Sequence, residues 1–261
     1  MEVNLKEVLS WTTEAAQIAR KMQFTSLVMH YKVATELVTE ADRAVEAFLL
    51  DKIRSHFPDH SINAEESGDL KQSTEHKWYI DPIDGTKNYA HRMPFFAVSV
   101  AYAFRGELQL GVICNPAMDE TFYAAKGKGA FLNGEAIRVS DAKTLRDSLV
   151  ITGFRKTLLD TPKSNLKNFV RFCKDSQTIR HLGSAALDLA YVACGRGDGF
   201  WDMALNPYDI AAGVLIASEA GAIVDTIDGE GDLLSGKVDV LAANPAIFPL
   251  MRQGLLEERI S

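Results

Sequence analysis

Hydrophobic residues follow a helical period at the start of the 261-residue chain and a strand period soon after it. Over residues 4–24, apolar side chains recur about every 3.6 positions, which predicts an amphipathic helix. The stretch from Thr39 to Pro58 predicts a second helix, which the proline ends. The apolar runs AVSVAYAF and ELQLGVIC flank Arg105-Gly106 and predict a hairpin. The segments ETFYAA and AFLNGEAIRV predict that the antiparallel meander continues.

After about residue 145 the pattern changes to short apolar strands that alternate with helices. The predicted strands are SLVITG, TIRHL, AIVDT and VDVLAAN, and the predicted helices lie near 163–175, 184–195 and 207–219. Alternating elements of this kind are typical of α/β structure. We therefore expect an α+β half over residues 1–145 packed on an α/β half over residues 146–261. Because no Pro/Gly/Ser-rich linker separates the halves, we expect one compact unit with a cleft between them.

We interpret the composition as that of a globular cytoplasmic protein. Hydrophobic residues make up 47% and charged residues 24%, but no apolar stretch approaches the roughly 20 residues that span a bilayer. The N-terminus carries early acids and no export signal, and the three widely spaced cysteines fit neither a disulfide framework nor a zinc site. The net charge of −7, with scattered basic residues, argues against a nucleic-acid site. It also means that an anionic substrate needs a local cation.

Two carboxylates stand three residues apart in the motif DPIDGT at residues 81–86. Pro82 has no N–H and biases Asp81 toward an extended backbone, so we expect a strand to end there and to turn Asp84 back toward it. Two carboxylates held together are costly unless one binds a proton or a cation lies between them. Hard divalent ions such as Mg²⁺ take carboxylate and carbonyl oxygens, and the carbonyl of Ile83 is placed to join. An Asx turn explains the same spacing, and spacing alone leaves both interpretations open.

Other acids in the chain each have a structural explanation of their own. Glu65 and Glu66 lie together in the segment NAEES, where paired acids are usually solvated. Asp209 follows Asn206 and a proline in NPYDIAAG, a pattern typical of a helix N-terminus. Asp42 lies in the segment TEAD, which resembles a capping box. Taken singly, each of these acids is explained without catalysis.

Taken together, DPIDGTKNYAHRMPFFAVSVA, the upstream NAEES and the downstream NPYDIAAG resemble the inositol monophosphatase family of magnesium-dependent phosphatases. The first motif agrees at every position from Asp81 to Thr86, and Tyr208 stands where the family usually has Trp. The similarity runs from LVTEAD near residue 37 to EAGA ending at 222, and GSAALDLAYVA resembles the bacterial branch. The resemblance implies a layered αβαβα sandwich, an α+β and α/β fold of the type shared with fructose-1,6-bisphosphatase. It also implies two or three Mg²⁺ ions and a homodimer.

The resemblance also implies roles for residues of this sequence, position by position. The metal ligands that it implies are Glu65, Asp81, Ile83 through its carbonyl oxygen, Asp84 and Asp209. The catalytic residues that it implies, around the attacking water, are Glu65, Thr86 and Asp42. The substrate contacts that it implies are Asp84, Gly85, Thr86, Arg180, Gly183, Ser184, Ala185, Asp202 and Asp209. A role as a helix N-cap explains Ser184 equally well. An arginine at a strand end, such as Arg180, is more often a surface residue. Asp202 stands where many members of the family carry a longer Glu.

The activity implied by this resemblance is Mg²⁺-dependent hydrolysis of a small phosphorylated polyol or sugar, with an inositol phosphate as the first candidate. Fructose 1,6-bisphosphate, histidinol phosphate and 3′-phosphoadenosine 5′-phosphate are alternative substrates on the same scaffold. Asn88 stands where the nucleotide-specific branch usually has an acid, which favours the polyol branch. A partner role with RNA polymerase or ribosome-assembly machinery is a further alternative. The histidines lack the spacing of a zinc hydrolase, and no P-loop motif is present.

Overall fold

The structure is a computed structural model and describes residues 3–24, 29–33, 36–73, 75–161 and 163–260. The α-helices are α1 (Leu5–Gln23), α2 (Glu40–His56), α3 (Thr86–Ala90), α4 (Leu166–Asp175), α5 (Ala185–Ala193), α6 (Pro207–Glu219) and α7 (Phe248–Ile260). The strands are β1 (Met29–Val33), β2 (Glu36–Thr39), β3 (Ser61–Ala64), β4 (Gly68–Leu70), β5 (His76–Asp84), β6 (Ala97–Phe104), β7 (Glu107–Asn115), β8 (Glu120–Ala125), β9 (Ala130–Leu132), β10 (Glu135–Ile137), β11 (Leu149–Thr152), β12 (Thr178–Arg180), β13 (Gly199–Leu205), β14 (Ile223–Thr226) and β15 (Val238–Ala243). In this part of the chain, no helix is long and apolar enough to cross a bilayer.

Two mixed sheets carry the fold. Among the described residues, the first sheet has eight strands in the order β10-β9-β8-β7-β6-β5-β3-β4, and β3 beside β5 is its parallel pair. The second sheet, within the same residues, has five strands in the order β12-β11-β13-β15-β14. Its β11 runs parallel to both β12 and β13, whereas β15 is antiparallel to both of its neighbours. The strands β1 and β2 form a separate antiparallel hairpin.

Helices cover both sheets and fill the space between them. In β5, Trp78 and Ile80 pack against α1 and α2, whereas Tyr79 packs in the cluster with α5 and α6, because successive side chains of a strand point to opposite faces. Helices α5 and α6 also pack on the second sheet, through residues such as Leu189. Helices α4 and α7 cover the outer face of that sheet around Phe172. The layers therefore run helix, sheet, helix, sheet, helix, which confirms the predicted αβαβα sandwich.

Helix α6 lies in backbone contact with the first sheet. A Cβ added at Gly111 of β7 would lie 2.9 Å from the carbonyl oxygen of Ala212, closer than real Cβ atoms come. A residue without a side chain is therefore required in this strand where the helix backbone crosses it. Ala212 follows Asp209 by less than one helical turn, so this contact also fixes how deeply the start of α6 enters the cleft.

Most elements expected from the hydrophobic pattern are present. The two N-terminal helices, the β6–β7 hairpin and helices α5 and α6 lie within a few residues of their predicted bounds. Helix α4 begins at Leu166 rather than near residue 163. The predicted boundary at residue 145 falls between β10 and β11, so it separates the strands of the two sheets; the division into two halves stays a prediction.

The predicted antiparallel meander is present from β6 to β10, but the sheet that contains it is mixed. Strand β3 lies parallel to β5, with Ile62 opposite Trp78. The segment AFLNGEAIRV is not one strand but two, because Asn133 and Gly134 turn the chain with φ of 50° and 91°. Strand β13 (Gly199–Leu205) is missing from the predicted strands.

Candidate active site

The DPIDGT motif lies where β5 stops pairing regularly with β6. The register shifts between Asp81 and Asp84, and the backbone N–H of Ile83 donates to Oδ1 of Asp81 at 3.1 Å. This local Asx-type bond shows that the turn and the clustering of carboxylates, which spacing alone could not separate, occur together. Gly85 follows with φ of +89°, a left-handed value that favours glycine.

Gly85 also brings the motif against the segment that precedes α5. A Cβ at this position would lie 3.1 Å from the carbonyl oxygen of Phe95 and 3.2 Å from that of Gly183. The amide of Asn88 donates to the carbonyl of Phe95 at 2.8 Å and to that of Leu182 at 2.7 Å. The end of β5 and the predicted substrate segment are therefore joined through their backbones.

Asp42 is the N3 residue of the capping box that begins α2, and it is buried. Its Oδ2 accepts from the N–H of Thr39 at 2.8 Å and from the Thr39 hydroxyl at 2.5 Å, so the predicted capping box is confirmed. Its Oδ1 lies 3.5 Å from the hydroxyl of Thr86, which also lies 3.0 Å from the carbonyl of Ile83. Burial raises the pKa of Asp42 to about 6, against the lowering effect of the Thr39 bonds.

Asp209 has the same place in α6 as Asp42 has in α2. Its Oδ2 accepts from the N–H of Asn206 at 2.7 Å and from the Asn206 amide at 3.2 Å, which completes a second capping box. The same oxygen accepts from Nη2 of Arg155 at 3.0 Å. Burial raises the pKa of Asp209, and the charge of Arg155 is the largest opposing influence. The predicted helix start at Asn206 is confirmed, and Asp209 lies at the cleft.

Asp84 reaches from the end of β5 to the start of α5. Its Oδ2 accepts from the hydroxyl of Ser184 at 2.5 Å and from the N–H of Ala186 at 2.7 Å. Ser184 is the N-cap of α5 and accepts from the N–H of Leu187, which confirms the N-cap interpretation of this serine. Burial raises the pKa of Asp84 to about 7, even though the bond from Ser184 lowers it.

Asp42, Asp84 and Asp209 share one arrangement. The hydrogen bonds that cap a helix or join a strand to a helix end on Oδ2 of each carboxylate. That oxygen fixes the side chain, and in Asp84 and Asp209, which line the cavities described below, Oδ1 is left to bind a cation, a water or a substrate. A ligand that neighbouring hydrogen bonds already hold in place loses little conformational freedom on binding. Oδ1 of Asp42 faces the hydroxyl of Thr86 instead.

Two cavities share this wall of acids. The smaller one, of about 250 Å³, is lined by the five predicted metal ligands Glu65, Asp81, Ile83, Asp84 and Asp209 and by Gly85 and Thr86, whereas Asp42 lines neither cavity. The larger one, of about 440 Å³, is lined by predicted substrate contacts: Gly183, Ser184, Ala185 and Asp202. Asp84, Arg155 and Asp209 line both cavities. A molecule in the larger cavity would therefore border an ion in the smaller one.

The acids of these cavities raise one another's pKa values. Burial and the charges of Glu65 and Asp84 raise the pKa of Asp81 well above its usual range. Burial also raises the pKa of Asp202 to about 7, and Asp209 adds to the effect. A cation held among these carboxylates would offset their repulsion.

The donor set suits a hard divalent cation that keeps part of its water. Every predicted ligand offers oxygen, either from a carboxylate or from the carbonyl of Ile83. Among the residues that the structure describes, no three His, Cys, Asp or Glu side chains form a cage that could hold an ion by themselves. Mg²⁺ commonly binds through one or two carboxylates, several waters and phosphate oxygens of a substrate. The residues present therefore fit Mg²⁺ that shares its coordination with water and phosphate.

Arg180 lies apart from the other predicted site residues. It is exposed, and its Nη1 donates to the hydroxyl of Thr178 at 2.6 Å and to the carbonyl of Ile179 at 2.8 Å. Neither cavity includes it in its lining, which agrees with the alternative that it is a surface residue. Its predicted substrate contact finds no support in this position.

Arg155 and Asp188 are two of the cavity-lining residues that the sequence analysis did not identify. Arg155 comes from the loop after β11, where no motif marks it. Asp188 is 2% exposed, lines the larger cavity, and has an Oδ1 atom with no hydrogen-bond partner in the described part of the chain. Burial, Asp84 and Asp202 raise the pKa of Asp188 well above its usual range. A single acid inside the apolar run GSAALDLAYVA is a signal that could have identified it.

Comparison with known proteins connects this site to a family. The sequence matches the model of the inositol monophosphatase family over residues 4–260. The chain belongs to the inositol monophosphatase family. It is 40% identical to the inositol-1-monophosphatase of Synechocystis sp., over 98% of this chain and 88% of that protein. It is 38% identical to the Nus factor SuhB of Pseudomonas aeruginosa, over 94% of each protein.

A solved structure of the family supports the layered architecture. The inositol monophosphatase from Anabaena (Nostoc) sp. has a TM-score of 0.87 to this chain and 40% sequence identity, with 97% of this chain and 95% of that chain covered. The resemblance drawn from DPIDGT, NAEES and NPYDIAAG and the fold class that it implied are thus both confirmed.

Proposed function

We propose that the protein is a Mg²⁺-dependent phosphatase that hydrolyses the phosphate monoester of a small hydroxylated molecule, with an inositol phosphate as the first candidate. The observation that carries this proposal is the convergence of Glu65, Asp81, Ile83, Asp84 and Asp209 on one small cavity. Each of these acids has a local structural explanation, but a shared cavity does not follow from capping or turns. Membership of the inositol monophosphatase family supports the same class of reaction.

In this proposal the carboxylates of Glu65, Asp81, Asp84 and Asp209 and the carbonyl of Ile83 hold two or three Mg²⁺ ions. When bound, the ions supply a Lewis acid that lowers the pKa of a water and offsets the charge of the phosphate. The hydrogen bonds on Oδ2 of Asp84 and Asp209 hold these ligands in position.

Thr86, Asp42 and Glu65 act on the attacking water. The hydroxyl of Thr86 can turn its proton toward Oδ1 of Asp42, 3.5 Å away, so that its own lone pairs accept a proton of the water. Asp42 is ionised at neutral pH, because its pKa of about 6 lies below that value, and an acid with a pKa close to the working pH is an efficient proton acceptor. Glu65 lines the same cavity as Thr86 and is the alternative acceptor.

The larger cavity receives the alcohol part of the substrate. We propose that the N–H groups of Gly85 and Thr86 donate to phosphate oxygens, as turns and helix starts commonly do. Asp202 and the start of α5 then contact the hydroxyl groups of the leaving alcohol. The larger cavity has room for a single sugar or polyol ring.

Phosphate release tests the proposal directly. Wild type and Asp84→Asn are compared on inositol phosphate, fructose 1,6-bisphosphate, histidinol phosphate and 3′-phosphoadenosine 5′-phosphate, with and without Mg²⁺. We expect Mg²⁺-dependent release by wild type that the variant loses, with the inositol phosphate preferred. A folded protein that releases phosphate from none of these esters at saturating Mg²⁺ would disprove the proposal. A different preferred ester would keep the reaction class and correct the substrate.

A second candidate function is a partner role in transcription, which the similarity to a protein named Nus factor SuhB favours. Catalysis and partner binding can coexist on one chain when they use different surfaces. A pull-down of RNA polymerase with wild type and Asp84→Asn separates the two roles. Capture that survives in the inactive variant would support a partner role that is independent of the metal site, and no capture by either protein would remove this candidate.

We also propose that the protein is a cytoplasmic homodimer. The support comes from the family, and Cys114, Cys173 and Cys194 are all free thiols, as is usual in a reducing compartment. Light scattering coupled to gel filtration tests the oligomeric state. A mass of one chain at micromolar concentration would contradict the dimer.

A further inference from the structure

Arg155 brings a positive charge into the wall of acids. Its Nη2 atom lies 3.0 Å from Oδ2 of Asp209, and its Nε atom donates to the carbonyl of Met203 at 3.1 Å. The side chain lines both cavities and is 29% exposed. The guanidinium is therefore a fixed part of the candidate site.

Arg155 is not needed to hold Asp209 in place. Oδ2 of Asp209 already accepts two hydrogen bonds from Asn206, at 2.7 and 3.2 Å, and the capping box of α6 fixes the side chain. What Arg155 adds to this carboxylate is charge. A guanidinium beside a ligand oxygen reduces the negative potential that attracts a divalent cation.

The same charge favours a phosphate group. A guanidinium has five N–H donors in a planar fork, and the contacts to Met203 and Asp209 occupy only part of that fork. The other N–H donors of the Arg155 guanidinium are on a side chain that lines both cavities. Forks of this kind bind phosphate oxygens in pairs, with a geometry that lysine cannot reproduce.

We propose that Arg155 sets the balance of binding at this site: it weakens the binding of Mg²⁺ to the substrate-free protein and strengthens the binding of the phosphate group. This inference rests on the proposed function of the site. Its consequence is that the protein loads metal and phosphate together, since each is bound more firmly when the other is present. The two effects have opposite signs, whereas damage to the fold weakens both kinds of binding.

Calorimetric titration of Arg155→Gln tests the proposal. Mg²⁺ is titrated first into the substrate-free protein, and inorganic phosphate is then titrated at saturating Mg²⁺. We expect Mg²⁺ to bind more tightly by a factor on the order of ten, because one positive charge near the ion is removed, and phosphate to bind more weakly. Arg155→Lys keeps the charge and should leave Mg²⁺ binding near that of wild type, while part of the phosphate affinity is lost.

Arg171→Gln is the matched control. Arg171 forms an ion pair with Glu257 at 2.7 Å, its side chain is 26% exposed, and it joins α4 to α7 away from both cavities. We expect this variant to change neither affinity. If Arg155→Gln weakens both Mg²⁺ and phosphate, or changes neither, the inference about Arg155 is wrong.

Failure of the proposed function would look different. In that case the wild-type protein itself would bind no Mg²⁺ and release no phosphate from any ester. A wild type that binds Mg²⁺ and hydrolyses an ester, together with an Arg155→Gln variant that lacks the opposite shifts, would overturn only the role of Arg155.

Discussion

The two capping boxes of this protein have the same geometry and different chemistry. In each, the third-position aspartate returns Oδ2 to the N-cap N–H, at 2.8 Å for Asp42 and 2.7 Å for Asp209. Each aspartate also accepts from the side chain of its N-cap residue, the neutral hydroxyl of Thr39 for Asp42 and the neutral amide of Asn206 for Asp209, but Asp209 accepts from the guanidinium of Arg155 as well. Burial raises the pKa of both carboxylates, to about 6 for Asp42, and the charge of Arg155 opposes that rise only for Asp209. On the proposed function, one helix-start motif would therefore supply a proton acceptor on one side of the site and a metal ligand on the other.

The largest effect on activity is expected when the negative charge of Asp209, in the capping box of α6, is removed. Asp209→Asn keeps an oxygen that can accept from Asn206, so the cap should survive, but a negative charge at the cavity is lost. We expect kcat/KM for the preferred ester to fall by about 10²- to 10³-fold, with little change in the melting temperature. Phosphate release and thermal unfolding measure the two quantities.

Asp198→Asn is the control for this variant. Asp198 also anchors the backbone, through a bond from the N–H of Leu149 at 2.6 Å, but it lines neither cavity. The Asp198→Asn variant should have a lower melting temperature than wild type and an unchanged kcat/KM. Equal losses of activity in the two variants would show that Asp209 acts through the fold alone.

A smaller effect, with a distinct dependence on pH, is expected in the first box. Asp42 must be ionised to accept a proton, so activity of the wild type should fall as the pH drops through about 6. Asp42→Asn should lower kcat by about 10- to 100-fold and remove this acid limb from the pH profile. An unchanged limb in the variant would assign the titration to another group.

Replacing the N-cap residues separates stability from proton transfer. Thr39→Ala and Asn206→Ala should each cost about 1 kcal/mol of unfolding free energy, or roughly 2 to 4 °C in a chain of this size. The hydrogen bonds of Thr39 lower the pKa of Asp42, so Thr39→Ala should also move the acid limb to higher pH. Asn206→Ala should leave that limb in place. A shift of the limb in both variants would indicate that the two boxes are coupled.

The smallest change is expected at Asp188, an acid outside both boxes. A group whose pKa is raised on folding contributes stability below its unfolded pKa and loses it as the pH rises through the folded value. Since burial raises the pKa of Asp188, Asp188→Asn should raise the melting temperature at pH 8 by a few degrees (roughly 2 to 4 °C per kcal/mol) and flatten its decline with pH. Asp141→Asn, at a position 82% exposed, is the control and should do neither.

The fold could be predicted from the sequence where a helix or strand buries one face against a neighbouring layer and exposes the other, because its apolar residues then recur with a regular period. Helices α1 and α2 and the β6–β7 hairpin show that period clearly. Strand β13 does not, because six of its seven residues are buried, and a strand buried on both faces has no alternation of apolar and polar positions. The parallel placement of β3 beside β5 depends on contacts between distant segments, which no local pattern encodes.

The candidate site could be predicted where its residues form a motif along the sequence. It could not be predicted where residues from distant segments come together only in the folded chain. DPIDGT and NPYDIAAG each carry a local signal and their acids line the cavities, whereas Asp42 of TEAD reaches the site through the hydroxyl of Thr86. Arg155 lies in a loop, and its closeness to Asp209 arises from the path of the chain after β11. Arg180 is the opposite case. It lies in a segment that resembles a family motif, but its side chain donates to the hydroxyl of Thr178 and does not line the cavities.

The bond from α5 to Asp84 has a consequence for how the chain folds. The donors of Asp84, Ser184 and Ala186, are about a hundred positions further along the chain. During synthesis, β5 therefore emerges long before the groups that stabilise its terminal carboxylate, and pairing over such a separation is slow. Until α5 docks, the carboxylate of Asp84 lacks these two donors. On the proposed function, a bound Mg²⁺ ion would favour only the completed chain, so that metal loading would report the end of folding.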